Sequence, residues 1–283
     1  MDYKKRLGRS TGGNLAVYTF LVLVGCFMAL PLVYAISNSL KPLDELFVFP
    51  PKFFVQNPTL DNFSDLFVIM GKSWVPFSRY VFNTLLITVV GTFGCVVITS
   101  MGAYVLAKKK FPGRDLIFSI VVTSLMFSGY VTQIPNYLVM AEIGWVDTFW
   151  AVIVPAFGMP MGLFLSKQYM EGIPDTLLEA ARIDGSSEWR IFWQIVMPMS
   201  KPAWVTVIIF SVQGLWNSKA SNFIFSEDLK TLPYALQQIL NGGIARTGVG
   251  SAVTVIMMIV PIATFILSQR QIMETMASSG LKE

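Results

Sequence analysis

The sequence predicts an all-α, polytopic membrane protein with six transmembrane helices, and three observations carry that prediction. Of its 283 residues, 54% are hydrophobic and only 13% are charged, about half the charge of an average soluble domain; the mean hydropathy is +0.59. Six windows of 17 residues or more hold no Asp, Glu, Lys or Arg: 10–40, 80–107, 116–141, 148–166, 202–218 and 247–269. The Lys and Arg residues between these windows divide 14 to 7 across the two sets of alternating segments. Such a bias places the richer set, with both termini, on the cytoplasmic side.

A span needs about 20 mostly apolar residues, so the helices fit at roughly 15–36, 81–106, 116–139, 148–168, 203–221 and 249–269. The cytoplasmic segment 1–14 carries Lys4, Lys5, Arg6 and Arg9 ahead of the first span. That run is too long for a signal peptide and no small-residue cleavage site ends it, so the span is expected to be retained. The outer loop 37–79 is rich in Pro42, Pro50, Pro51, Phe53, Phe54, Pro58 and Phe63. Its length suits a small packed cap rather than a turn, with a short amphipathic helix starting at an Asn57 or Thr59 cap. Trp74, Phe77 and Tyr80 are placed for an interfacial aromatic belt. The five remaining spans form a core, 80–269, interrupted by a polar cytoplasmic loop at 171–200; a cytoplasmic tail, 270–283, follows. Pro135, Pro155, Pro160 and Pro261 lie inside the later spans, where each can bend the helix, although membrane helices also tolerate proline without bending.

The polar loop is the most patterned part of the chain. Pro174 suits a helix start, and Asp175 and Glu179 suit its positive end. Leu177, Leu178 and Ala181 share one face at helical spacing. The small pair Ala180-Ala181 leaves room for another backbone, and Gly185 after Asp184 permits a reversal with positive φ. A second amphipathic helix, with Trp189, Phe192 and Trp193 set against Glu188, Arg190 and Gln194, is expected to end at Pro198.

Glu179-Ala180-Ala181, three residues, Gly185, nine residues and Ile195-Val196-Met197-Pro198 together resemble the EAA loop of ABC-importer permeases, with Met197 where that family usually has Leu. Other segments resemble its carbohydrate-uptake, maltose-type group: Pro31-Leu32 through Ser39-Leu40-Lys41-Pro42, Phe82-Asn83-Thr84-Leu85, Ala103-Tyr104-Val105-Leu106-Ala107 with Phe111-Pro112-Gly113-Arg114, and Ile183-Asp184-Gly185-Ser186-Ser187. The resemblance runs from about residue 30 to the end. It implies a type I ABC importer permease fold in a prokaryotic plasma membrane, working by alternating access. Glu179, Ala180, Ala181, Asp184, Gly185 and Pro198 would then couple the permease to a cytoplasmic ATPase. The implied partners are a second, similar permease in a heterodimer, two ATPase subunits that hold the ATP and Mg, an extracytoplasmic solute-binding protein, membrane lipid, and a sugar or oligosaccharide. A tail like 270–283 would meet the ATPases, although Gly280-Leu281-Lys282-Glu283 departs from the usual Lys-Gly ending.

Sugars are held by flat aromatic faces and dense hydroxyl partners. Polar uncharged residues at membrane depth are candidates for that role: Tyr130, Gln133, Asn136 and Tyr137 in the third span, and Gln213, Trp216, Asn217 and Asn222 at the fifth. For any single one of these residues, bonding between neighbouring helices is the more ordinary role. Tyr130, Gln133 and Tyr137 share a stripe at i, i+3 and i+7. The outer loop 219–248 contains Asn241-Gly242-Gly243 and Thr247-Gly248-Val249-Gly250, a composition suited to a flexible, narrow tip. In maltose-type importers the equivalent loop reaches into the binding protein, which assigns Asn241, Gly242 and Gly243 to that contact.

Several function classes are excluded by residue type. The chain has no histidine and no G-x-x-x-x-G-K-[ST] phosphate loop, so it lacks the usual general base and is not itself an ATPase. Cys26 and Cys95 sit in separate apolar runs and read as buried hydrophobes rather than metal ligands. No catalytic residue, metal or bound cofactor is expected, and the modest net charge of +4 gives no reason to expect nucleic acid. An ion-coupled secondary transporter would place Asp, Glu or His at the bilayer midplane, against which the charge-free windows speak. An importer of the same class carrying a non-sugar solute is the milder alternative.

Overall fold

The computed structural model describes residues 11–71, 75–241, 243 and 246–279, and all regular secondary structure among them is helical. Four described helices are long and apolar enough to cross a membrane, or six spans if each of two sharply bent helix pairs counts as one. The chain divides into two compact units, one formed by residues up to Ile69 with Ile239–Ile256, the other by Met70–Gln238 with the chain from Met257 onward.

In the first unit, α1 (Thr11–Ser39) exposes Leu15, Tyr18, Phe20, Phe27 and Met28 along its length, as hydrocarbon surroundings allow. The chain after it folds into a cap built on buried polar groups. Lys41 Nζ donates to Asn38 Oδ1 at 2.7 Å and to the Lys52 carbonyl. Glu45, in the short α2 (Leu43–Leu46), accepts the backbone N–H groups of Gln56 and Asn57. The next helix, α3 (Asp61–Gly71), starts beyond both Asn57 and Thr59, so neither caps it. Its Asn62 is buried and donates to the carbonyls of Ser39 and Lys41.

The second unit is organised around α4 (Phe77–Lys108). Its buried residues, from Tyr80 through Asn83, Thr84, Ile87, Thr88, Gly91, Cys95 and Thr99 to Ala103 and Tyr104, recur at three and four, the period of one helix face. That face packs chiefly on α8 (Pro160–Glu171) and α12 (Lys201–Trp216), then on α7 (Trp150–Ala156). Glycine sets the separation: a Cβ on Gly94 would lie 2.1 Å from the Phe157 ring, and one on Gly91 2.6 Å from Leu215. Close approach through small residues is how membrane helices gain packing when the surrounding lipid is equally apolar. Tyr80 belongs to this core, with its hydroxyl on Glu227, rather than to an interfacial belt. Trp74 lies outside the described residues.

The apolar stretch at 116–139 is not one rod. It folds as α5 (Arg114–Ser124) and α6 (Gly129–Glu142), bent by 111°. Ser128 supplies the break by accepting the Tyr130 N–H at the start of α6, an N-cap embedded in an apolar run. Pro155 and Pro160 bracket the interruption between α7 and α8, whereas Pro135 and Pro261 lie within continuous helices. The polar loop forms α9 (Asp175–Ile183), α10 (Glu188–Ile191) and α11 (Met197–Met199). Two further helices, α13 (Leu232–Leu240) and α14 (Thr247–Ser279), complete the chain.

Candidate functional site

The segment from Glu171 to Ser200 is an elbow. Pro174 sits just ahead of α9 as its N-cap. Along α9, Leu178 and Ala181 turn inward and are buried, while Leu177, Glu179, Ala180 and Ile183 face out; Leu177, 45% exposed, does not share the face of Leu178 and Ala181 as its spacing predicts. Ala181 therefore packs within the chain and Ala180 remains open to a partner. The helix ends in paired bonds, with the Gly185 N–H on the Arg182 carbonyl at 3.0 Å and the Ser186 N–H on the Ala181 carbonyl at 2.9 Å. This two-bond closure needs a left-handed residue at its centre, and Gly185 supplies it with φ +79°. Ser187 then caps α10 by accepting the Arg190 N–H.

Pro198 does not stop the second helix. The backbone continues through a widened π turn at Phe192–Val196, in which the Met197 N–H donates to the Phe192 carbonyl, and Pro198 lies inside α11. Proline lacks an N–H and its ring crowds the carbonyl four residues back, so the turn ahead of it opens. The direction changes by 79° between Met199 and Lys201. Across that bend, Ser200 Oγ donates to the Val196 carbonyl and the Trp204 indole to the Met197 carbonyl.

The elbow is bound to the end of α4 by a set of charges. Glu188 receives Lys109 at 2.6 Å, Arg182 at 2.9 Å and the Tyr104 hydroxyl at 2.8 Å. The Lys109 ammonium, opposed by partial desolvation and reinforced by Arg182 and Tyr104, brings the Glu188 carboxyl down to about 2. Lys108, its side chain 4% exposed, donates to Asp175 at 2.8 Å and to the carbonyls of Glu171 and Ile173 at the end of α8. Lys108 also holds the Asp175 carboxyl below its ordinary range. Beneath these charges Ala103, Tyr104, Met170, Ile173, Leu178, Ile191, Phe192 and Val196 form one apolar cluster. The outward side of the elbow keeps Glu179, Ala180, Ile183 and Trp189 exposed. Glu179 makes no ion pair among the described residues.

A second feature is a cleft of about 390 Å³ lined by Gly129, Tyr130, Gln133, Asn136, Asn222 and Phe223. It collects two members of the Tyr130, Gln133, Tyr137 stripe, while Tyr137 is not among its lining residues. Trp216 lies elsewhere, buried with its indole N–H on the Met257 carbonyl. Asn217 donates to the Gln213 carbonyl of its own helix end. The segment carrying Asn222 is fixed by Asp147, which accepts the N–H groups of Phe225 and Ser226 and the Ser226 hydroxyl. Those Ser226 bonds lead in lowering the Asp147 carboxyl.

The outer stretch 219–248 is only partly loop, because a 3₁₀ turn (Glu227–Leu229) and α13 occupy much of it. Gly248 and Gly250 let the start of α14 pack on α3 and α13, since a Cβ on Gly248 would meet Asn62 Oδ1 at 2.1 Å and one on Gly250 would meet Leu240 at 2.6 Å. Asn241 and Gly243 stay exposed, Gly243 with φ +88° and open space around it; Gly242 lies outside the described residues. Sequence reasoning gave no latch role to Tyr104, Lys108, Lys109 or Glu188. The one available signal was the run Lys108-Lys109-Lys110 closing a long apolar stretch.

Comparison with known proteins agrees with this architecture. Residues 15–276 match the family model described as the binding-protein-dependent transport system inner membrane component. The arabinooligosaccharides transport system permease protein AraQ of Halalkalibacterium halodurans is 31% identical over 283 residues, covering 94% of each chain. Protein LplC of Bacillus subtilis is 37% identical over 226 residues, 78% of this chain and 72% of that protein. Among solved structures, a chain of a bacterial ABC transporter involved in import of the acidic polysaccharide alginate superposes with a TM-score of 0.78 at 22% identity, covering 93% of this chain and 98% of that one. A chain of the MetNI methionine ABC transporter in an inward-facing conformation gives 0.52 at 20% identity, covering 70% and 94%. With its helical spans and type I importer permease fold, the chain belongs to the family of binding-protein-dependent transport system inner membrane components.

Proposed function

We propose that this permease imports a sugar or oligosaccharide by alternating access, driven by ATP that partner ATPases bind with Mg and hydrolyse. The elbow carries the proposal. It is an exposed amphipathic helix pair whose outer face leaves Glu179, Ala180, Ile183 and Trp189 open to the surroundings, while its inner face is fused to the transport helices. Exposed apolar groups beside a free carboxylate suit a groove on another protein. Glu179 meets that groove, Ala180 permits close approach, and Asp184 with Gly185 sets the reversal. Pro198 shapes the bend that follows. The elbow and both termini face the cytoplasm, as the Lys and Arg distribution supports.

The sugar assignment is supported by the arabinooligosaccharide permease, which aligns over nearly the whole of both chains. Tyr130 and Gln133 in the cleft offer the phenol ring and amide that hydroxyl-rich cargo needs, and Tyr137 and Asn217 take supporting places along the path. Asn241, Gly242 and Gly243 reach an extracytoplasmic binding protein. A second, similar permease completes the passage. The test is reconstitution with the ATPase, binding protein and second permease encoded nearby. ATP-dependent uptake of labelled arabinooligosaccharide or another glycan is the expected result. Uptake confined to amino acids or ions would reject the sugar reading.

A further inference from the structure

We infer that α4 is the rod by which the elbow moves the opposite end of the transport core, with Lys109 and Glu188 as positioning residues for that linkage. The inference rests on the importer reading above and deepens it. Three groups at the last turns of α4, Tyr104, Lys108 and Lys109, grip the elbow at both ends of α9. Lys108 holds the junction of α8 with α9 through the Ile173 carbonyl and Asp175, and Lys109 with Tyr104 holds the start of α10 through Glu188. Lys108 is thus buried at the pivot, and the apolar cluster under it joins Tyr104 to Phe192 with ring centroids 5.6 Å apart.

The other end of the same helix is gripped just as closely. Tyr80 donates to Glu227 at 2.8 Å, Asn83 donates to the carbonyls of Asp228 and Lys230, and Thr84 accepts the Leu232 N–H at 2.8 Å. An α-helix of 32 residues is about 48 Å long at 1.5 Å per residue. No proline lies inside it, so it has none of the usual kink points of that kind. The segment it holds, Ala220–Leu232, includes Asn222 and Phe223 of the polar cleft. Displacing the elbow therefore displaces a wall of the cleft through one unbroken helix, in addition to the covalent routes through α8 and α12.

The test uses the whole transporter, with ATPases and second permease, in nanodiscs, and follows hydrogen exchange with and without the non-hydrolysable nucleotide AMP-PNP and Mg. In the wild type, nucleotide should change exchange at both the elbow and residues 220–232. Glu188→Lys should keep the elbow response and cut the response at 220–232 at least about fivefold, the lower end of ordinary coupling between sites. The paired swap Lys109→Glu with Glu188→Lys should recover it, which a merely destabilised elbow would not do. An undiminished response at 220–232 in Glu188→Lys, or no recovery in the pair, overturns the linkage. A wild-type elbow indifferent to nucleotide would sink the ATPase-docking reading first, and this inference with it.

Discussion

The cap after α1 and the elbow are both held by paired charges, and they satisfy them in opposite ways. In the cap, Lys41 and Glu45 bond to groups of nearby chain, including the Lys52 carbonyl and the N–H groups of Gln56 and Asn57. In the elbow, Glu188 bonds to side chains at the end of α4 and in α9, and Lys108 bridges the ends of α8 and α9. A charge satisfied by its own neighbourhood fixes a local shape. A charge satisfied by distant side chains ties together elements that can be pulled. The contrast teaches that a paired charge marks transmission only when its partners are far apart in sequence.

Predictions follow from this contrast, the largest first. Gly185→Val should abolish uptake with normal accumulation in the membrane. The left-handed φ costs a branched residue roughly 1–2 kcal/mol, but no neighbouring atom lies within 4 Å of the added Cβ. The damage thus falls on the reversal and not on packing, and normal transport by this variant would refute the role given to the turn. Lys41→Met should do the converse. It strips the Asn38 amide oxygen and the Lys52 carbonyl of their donor, at about 1–3 kcal/mol for each buried group left unpaired. A lowered melting temperature with near-normal uptake per folded molecule is expected, and a coupling defect would erase the distinction between the two regions.

Gln133→Ala tests the cleft, which belongs to neither class of paired charge. Loss of one hydrogen bond to cargo, about 0.5–1.5 kcal/mol, should slow uptake a few-fold and leave basal ATP hydrolysis unchanged. The smallest effect concerns pH. Glu188 is a carboxylate held below its usual range, at about 2 against 4.5. Its contribution to the folded elbow is therefore complete above the unfolded value and is lost only as pH falls toward the folded one. Melting of wild type and Glu188→Gln should differ by the same amount at pH 6 and pH 8, a flat comparison that calorimetry can check; a gap that narrows at pH 6 would mean the latch is far weaker than its geometry.

The elbow was legible in sequence to the extent that its geometry is local. Gly185 is needed by a backbone conformation that few other residues tolerate, so its spacing from Glu179 announces a helix end. The latch was not legible, because Tyr104 and Glu188 stand 84 residues apart and nothing in either neighbourhood names the other. The break between α5 and α6 hid for a different reason: Ser128-Gly129 is an N-cap signal only to a reader who already expects a helix to start inside an apolar stretch. Periodicity alone put Leu177 on one face with Leu178 and Ala181, and its exposure shows that α9 has two apolar sides, one for its own chain and one left over. Trp216 looked like a sugar platform by residue type, whereas its burial and its bond to Met257 make it a packing residue in this conformation.

The π turn at Phe192–Val196 carries one more residue than α-helical winding requires. Each residue of an α-helix turns the next by about 100°, so a deletion elsewhere in the elbow would swing its outward side chains away from their mate. At these five positions the spare residue can vanish and the coil simply tightens, leaving the faces before and after it in phase. Single-residue length variation is thus absorbable here, beside the hinge at Ser200.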